Sequence, residues 1–388
     1  MNILLFDGSE WKNLHPLTLN KTFGELRMGI LTFRERWEKL IEGNYSYLTE
    51  NYLSEKFPAK VENLNLFINP AYLPFPDLVQ AILNLKEGEI LTHREKLIAG
   101  KLSLEDFRNL NKITSKQNYT DKILHINRLW DLFVQNDEMI QFDFELLTKG
   151  RKSQTISDTN GILNPDKIFL EEGAIVEFSV LNARSGPIYI GKDAEVMEGS
   201  LVRGSLAVCE GAKLNMGTKI YSGTTIGPYC KVGGEINNSI LMGYSNKGHE
   251  GFLGNSVLGE WCNLGADTNN SNLKNNYSTI KMWDYATNSY IESGLQFCGL
   301  MMGDFSKSAI NTQFNTGTVA GVSANVFEPG FPPKFIPSFS WGGKESSSKY
   351  DFEKSCEAAQ KMMERRKKLL TEVDKRILKH IYLEPSEY

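Results

Sequence analysis

The side chains best suited to chemistry in this 388-residue chain cluster between Gly234 and Asn272. Gly243-Tyr-Ser-Asn-Lys-Gly-His249-Glu-Gly-Phe252-Leu-Gly254 holds His249, the only histidine between His125 and His380. An imidazole with an ordinary pKa near ~6.5 can take a proton from a nucleophile at neutral pH. Gly248 and Gly251 leave room for a ligand to come close to the ring. Glu235 precedes His249 by fourteen residues, and Asn272 follows it by twenty-three, at the end of Asn263-Leu-Gly265-Ala266-Asp267-Thr268-Asn269-Asn270-Ser271-Asn272. A fold that returns to the same place about every eighteen residues would gather this carboxylate, imidazole and amide around one spot.

The sequence contains such a fold. From Ile190 to Val232 every sixth residue is a branched aliphatic: Ile190, Val196, Val202, Val208, Leu214, Ile220, Ile226, Val232. A step of six is neither the 3.6 of a helix nor the 2 of a strand; it is the signature of a hexapeptide β-helix. Each unit lays down a short strand and turns a corner, three units close a coil, and coils must stack because one alone cannot bury its aliphatic face. Leu170 and Val176 precede the run, and Phe252, Leu258 and Leu264 resume it. We expect the β-helix to span 165–343, with two polar excursions, Asn237 to Gly251 and Asn269 to Ser293, the first of which carries His249 out of the stacked coils.

Residues 1–148 have no six-step pattern. Ile3-Leu4-Leu5-Phe6 reads as a strand ended by Asp7-Gly8-Ser9, and Leu64 to Ile68 as another. Helical spacing is expected from Gly24 to Gly43, from about Asp77, and from Ile123 to Phe133. Strands alternating with helices argue for an α/β domain. Residues 149–164, rich in Ser, Thr and Gly, read as a linker. Residues 344–388 read as a helical tail, with Phe352, Cys356, Ala359, Met363 and Leu370 on one face, the basic run Arg365 to Lys368 on a solvated face, and a capping box at Thr371–Asp374.

The bounds exclude several classes. The net charge is −4, from 43 basic and 47 acidic residues, which gives no support to nucleic-acid or membrane-surface binding. No apolar run approaches the ~18–20 residues of a membrane span, and the N-terminus is too short in its apolar part for a signal peptide. The five cysteines are scattered and read as reduced thiols. A cytoplasmic location is the expectation. A zinc enzyme on a hexapeptide prism needs about three His ligands, and this prism has one.

The stretch around His249 closely resembles the acetyltransferase domain of the bifunctional N-acetylglucosamine-1-phosphate uridyltransferase/glucosamine-1-phosphate N-acetyltransferase family (the GlmU type). The resemblance lies in Gly248-His249, Leu253-Gly254, Asn263, Gly265-Ala266, Thr268 and Asn272. The whole chain resembles a variant branch of that family, including Leu295-Gln-Phe-Cys-Gly and Phe331-Pro-Pro-Lys-Phe-Ile-Pro-Ser-Phe-Ser-Trp341. It implies a left-handed prism, a homotrimer, and acetyl-CoA-dependent N-acetylation of an amino-sugar phosphate such as glucosamine-1-phosphate. It also implies catalytic roles for His249 as general base and for Asn272 and Glu235 near the sugar amine. Lys219 and Lys247 would contact substrate, and the Ala266 amide would meet the acetyl group. Phe252 stands where the family has Tyr, Asn237 where it has Lys, and Asp267 where it has Gly.

Asp7-Gly-Ser9 followed by Leu14-His-Pro16-Leu17-Thr18 resembles the opening of sugar nucleotidyltransferases, whose Gly-rich loop admits a triphosphate to backbone amides. That resemblance implies a nucleotide site at Gly8, with Arg27 supplying charge, UTP or another nucleotide as substrate, and Mg2+ if the domain is active. Glu10 in that loop would repel phosphate. The reading from sequence is therefore a transferase, with a non-catalytic regulatory or scaffold protein of the same two folds as the alternative.

Overall fold

A computed structural model describes residues 1–344 and 347–384; residues 345, 346 and 385–388 of the expected tail lie outside the described residues. The chain divides into two compact units. One comprises Met1–Leu14, Asn20–Leu26 and Leu31–Arg128; the other comprises His15–Leu19, Arg27–Ile30 and everything from Leu129 onward. Helices at Leu129–Val134 and Asn136–Thr148 thus group with the second unit, on the far side of the boundary expected at 148.

The first unit is an α/β layer. Asn2–Phe6 pairs in parallel with Asn44–Leu48 and with Asn65–Ile68, and Lys96–Leu102 runs antiparallel to Asn65–Ile68. Glu89–His93 and Lys116–Asn118 complete a six-stranded sheet. Its central strands are buried along their whole length, which is why they read as continuous apolar runs. Trp37, fully buried, leads the helix Phe33–Leu40, which opens on a Thr32–Glu35 capping box. Only this part of the expected Gly24–Gly43 helix forms, after a short 3-10 turn at Phe23–Glu25. Gly29 lies at φ +75, outside helical geometry, and Arg27–Ile30 belongs to the second unit. There the Gly29 and Ile30 amides donate to the buried side chains of Asn136 and Asp143. Likewise, helix forms at Leu129–Val134 but not from Ile123.

The second unit is a parallel β-helix, as the six-step register requires. Its strands, two to four residues long, stack into three faces. The first face carries inward Leu181, Val202, Ile220, Ile236 and Leu253, the second Ile190, Val208, Ile226, Leu241 and Leu258, and the third Val176, Val196, Leu214, Val232 and Lys247. These aliphatics form one continuous core. The expected linker already belongs to this fold. Gly161–Leu163 pairs with Val180–Asn182, and Gln154 and Asn160 cap the first coil.

The register slips where two corners are cut. From Val232 the inward positions advance by four to Ile236, by five to Leu241, then by six to Lys247 and to Leu253. Residues 237–251 are therefore no excursion: Ile240–Gly243 and Asn246–Lys247 are ordinary strands of a shortened coil. The real departure begins after Asn270, whose strand still pairs with Gln313–Phe314. It carries an antiparallel hairpin, Lys281–Asp284 with Ser289–Glu292, and the chain returns by Leu300. The tail helices Phe352–Glu364 and Glu372–Leu383 follow, the second opened by the Thr371–Asp374 capping box.

Candidate active site

His249 sits on the full-length corner between Lys247 and Leu253, stacked on the cut corner at Gly233 and Gly234. Gly233 and Gly234 turn beneath it with almost no clearance. A Cβ on Gly233 would lie 2.6 Å from the Gly248 carbonyl oxygen, and one on Gly234, at φ +74, 2.6 Å from that of Gly251. Glycine is required for this close stacking. Asn215, two coils before Gly248, donates its amide to the Gly248 carbonyl at 2.7 Å. The imidazole itself is exposed.

Lys247 fills an aliphatic position inside the prism and is 2% exposed. Its Nζ donates to the carbonyls of Gly233 (3.1 Å) and His249 (2.6 Å). Burial lowers its pKa to about 8, against the opposing charges of Glu250 and Asp267. The expected substrate contact of Lys247 is thus replaced by an internal one, because the residue falls on an inward position of the register.

His249 lines a cleft of about 570 Å³. Ala266 lines the same cleft, and its amide has no hydrogen-bond partner among the described residues, while its carbonyl accepts from Asn311. Asp267 beside it adopts φ +57, the left-handed corner conformation that glycine takes without strain. Arg365 and Arg366, from the end of the first tail helix, also line the cleft together with Met362 and Lys231. Arg366 donates to the Tyr229 carbonyl at 3.2 Å. Burial, followed by the charges of Arg366, Lys213 and Arg365, lowers the pKa of Lys231. Three cations crowded about one recess form a setting for an anion.

Two rings of a three-ring aromatic stack, Tyr244 and Trp261, line the cleft. Tyr229 lies on Tyr244 (centroids 5.3 Å apart), and Tyr244 on Trp261 (4.2 Å). All three adopt φ between 55 and 62, so the stacking offsets strained corner conformations. The basic run and this ladder were both missed as site features from sequence. The ladder had a signal: an aromatic followed by a buried small residue recurs at coil spacing, as Tyr229-Cys230, Tyr244-Ser245 and Trp261-Cys262.

Of the other expected site residues, Lys219 and Glu235 lie on the outward side of the first face. Lys219, Glu235 and Phe252 are in register on successive coils. Lys219 pairs with Glu250 at 3.7 Å, and Asn272 donates to the Asn255 side chain at 2.8 Å. The structure brings His249 and Ala266 to one cleft, while Glu235, Lys219 and Asn272 are not among the residues that line it.

In the first unit the Gly8 loop is filled from within. Glu10 is 2% exposed and accepts from His125 (2.9 Å), Asn69 (3.3 Å) and Lys96 (3.4 Å). A Cβ on Gly8 would meet the Glu10 carboxylate at 2.5 Å. Burial alone would raise the Glu10 pKa, but the bond and charge of His125, with Asn69, hold it down at about 2. Burial pushes the neighbouring Asp7 carboxyl up to about 7, although it accepts from Thr49 and from the Phe23 amide. Arg27, expected to supply charge to a nucleotide, is buried in the second unit, where its guanidinium donates to the Ile30 carbonyl. Among the described residues no group of three or more His, Cys, Asp and Glu could hold a metal ion. Nor is any described helix long and apolar enough to cross a membrane. All five cysteines are buried and unbridged.

Residues 3–152 match the family model of sugar nucleotidyl transferases. No curated protein matches the chain. Among solved structures, UDP-N-acetylglucosamine acyltransferase from Campylobacter jejuni aligns over 60% of this chain and 97% of its own, at 12% identity and a TM-score of 0.20. An overlap that loose carries no inference about activity.

Proposed function

We propose that the prism transfers an acetyl group from acetyl-CoA to the amine of an amino-sugar phosphate resembling glucosamine-1-phosphate. The observation that supports this reading best is the single cleft shared by an exposed His249 imidazole, the unpartnered Ala266 amide and the cations Lys231, Arg365 and Arg366. The neutral amine attacks the thioester carbon, and the carbonyl oxygen takes the electron pair. The Ala266 N–H stabilises that oxyanion. His249 accepts the proton leaving the amine nitrogen. The C–S bond then breaks, and His249 returns the proton to the departing thiolate. Arg365, Arg366 and Lys231 hold the phosphates of the donor, as fixed cations beside an otherwise apolar ladder can. Lys219, Glu235 and Asn272 serve the acceptor, and a homotrimer is the assembly in which this face is covered.

The match of residues 3–152 favours a role for the first unit in handling a sugar nucleotide. The buried Glu10 carboxylate beside Gly8 argues against a triphosphate at that loop, and UTP-dependent turnover should be weak or absent. One experiment tests both readings: purified full-length chain with acetyl-CoA, UTP, Mg2+ and glucosamine-1-phosphate, each omitted in turn, with products detected by mass spectrometry. Acetylated sugar phosphate that needs only acetyl-CoA and the amine supports the first reading. Its absence favours a regulatory or scaffold role. Uridylyl transfer at rates typical of enzymes, ~1–10³ per second, would overturn the expectation for the first unit.

A further inference from the structure

Among the described residues Lys247 is the one charged member of a column otherwise made of Val176, Val196, Leu214, Val232, Leu264, Ser308, Val326 and Gly342. Prism packing asks only for an aliphatic here, and Leu or Val serves on most coils. An ammonium taken from water into a core costs stability unless its bonds compensate. Among the described residues it has no carboxylate partner within hydrogen-bond distance, only two backbone carbonyls. Those two carbonyls belong to the two corners that define the site. Gly233 lies on the cut corner below, and His249 on the corner that projects the imidazole into the cleft. Neither carbonyl has another hydrogen-bond partner among the described residues. The cut corner creates the need. Dropping two residues between Val232 and Ile236 leaves Gly233 without the normal corner geometry, and the ammonium bridges the gap.

We propose that Lys247 is the positioning residue for His249, pinning the carbonyl of that residue to the cut corner and so fixing the direction in which the imidazole enters the cleft. The chemical part of this inference rests on His249 acting as the base; the positional part does not. The charged side chains acting on Lys247 are Glu250, Asp267 and Lys219, all outside the core.

The test is Lys247→Met, which keeps the stem and removes the charge, with Lys247→Leu as a second variant. Both should fold and melt no lower than the parent. Amide hydrogen exchange at 248–251 should speed up by about tenfold or more, with exchange in the other coils unchanged. If the parent acetylates glucosamine-1-phosphate, kcat should fall by roughly 10–100-fold at unchanged KM for acetyl-CoA, a loss of the size that a misplaced catalytic group produces. If loss of the Lys247 proton frees the His249 corner, the parent should lose activity as pH rises through about 8, and neither variant should show that loss. Unchanged exchange at 248–251 would overturn the proposal whatever the activity. So would failure of both variants to fold, since the ammonium would then be a requirement of the whole prism. If His249→Ala keeps full turnover while exchange responds as expected, the base assignment fails and the positional role stands.

Discussion

At the scale of single residues, His249 is exposed, lies on a corner and contributes nothing to the aliphatic core. His249→Ala should therefore fold normally and keep its assembly. Loss of a general base lowers turnover by roughly 10²–10⁴-fold, with acetyl-CoA affinity little changed by calorimetry. Near-parental turnover on the amine acceptor would exclude the base role. Arg365 and Arg366 should show the opposite pattern. Replacing both by Ala should weaken coenzyme A binding by about tenfold or more, and the loss should shrink at high salt, because screened phosphate contacts are worth less. Unchanged affinity at low salt would remove the phosphate assignment. Residue types made His249 and its flanking glycines legible as a site, and the family resemblance added Ala266. Lys247 was legible only as a lysine near a histidine. Whether it points out or in depends on the register, and the register had slipped by three residues between Val232 and Lys247.

At the scale of elements, the unbroken run from Ile190 to Val232 specified the coils because each aliphatic falls on the same inward column. The next coil hid because steps of four and five look like a loop when a step of six is the template. Its strands are held by the same parallel pairing as their neighbours. The helix Asn136–Thr148 was hidden for a different reason. It buries the polar side chains Asn136 and Asp143, which bond the Gly29 and Ile30 amides, and polar residues on a buried face erase the apolar period. The inward lysine also gives this element a pH signature. Its folded pKa of about 8 lies below the ordinary 10.5, so the fold is penalised while the group stays charged. That penalty is complete below about pH 8. Between 8 and 10.5 the native state has released the proton and the unfolded chain has not, so stability rises with pH. Lys307, lowered in the same direction by burial, adds to the rise. Urea midpoints for the parent should climb relative to those of Lys247→Met across this window. Parallel curves for the two proteins would mean that Lys247 is not desolvated.

At the scale of the whole molecule, the prism leaves apolar side chains in water. Val180 is 41% exposed and Leu201 52%, neighbours on the outward side of the first face, with Phe178 at 64% and Met216 at 69% on corners nearby. Single exposed apolar residues are ordinary, but a contiguous group on a regular sheet marks an association surface. Burying such side chains is worth about 25 cal/mol per Å² removed from water. Each prism has three flat faces, and a face that meets a different face of the next copy closes after three copies if the rotation is 120°, the usual geometry of a cyclic trimer. That arrangement would cover the apolar part of the first face and bring Lys219 and Glu235, farther along the same side, against a neighbouring copy. A homotrimer is therefore expected, with sedimentation equilibrium at micromolar concentration giving three times the 43.8 kDa chain mass. Leu201→Glu places a charge on the outward side only, where it does not disturb the core that Val202 joins. It should produce a monomer with unchanged far-ultraviolet circular dichroism. Acetyl transfer should fall with it if the acceptor side of the site needs a second copy. A parent chain that sediments as a monomer would exclude the trimer, and a Leu201→Glu variant that stays trimeric would move the interface to another face.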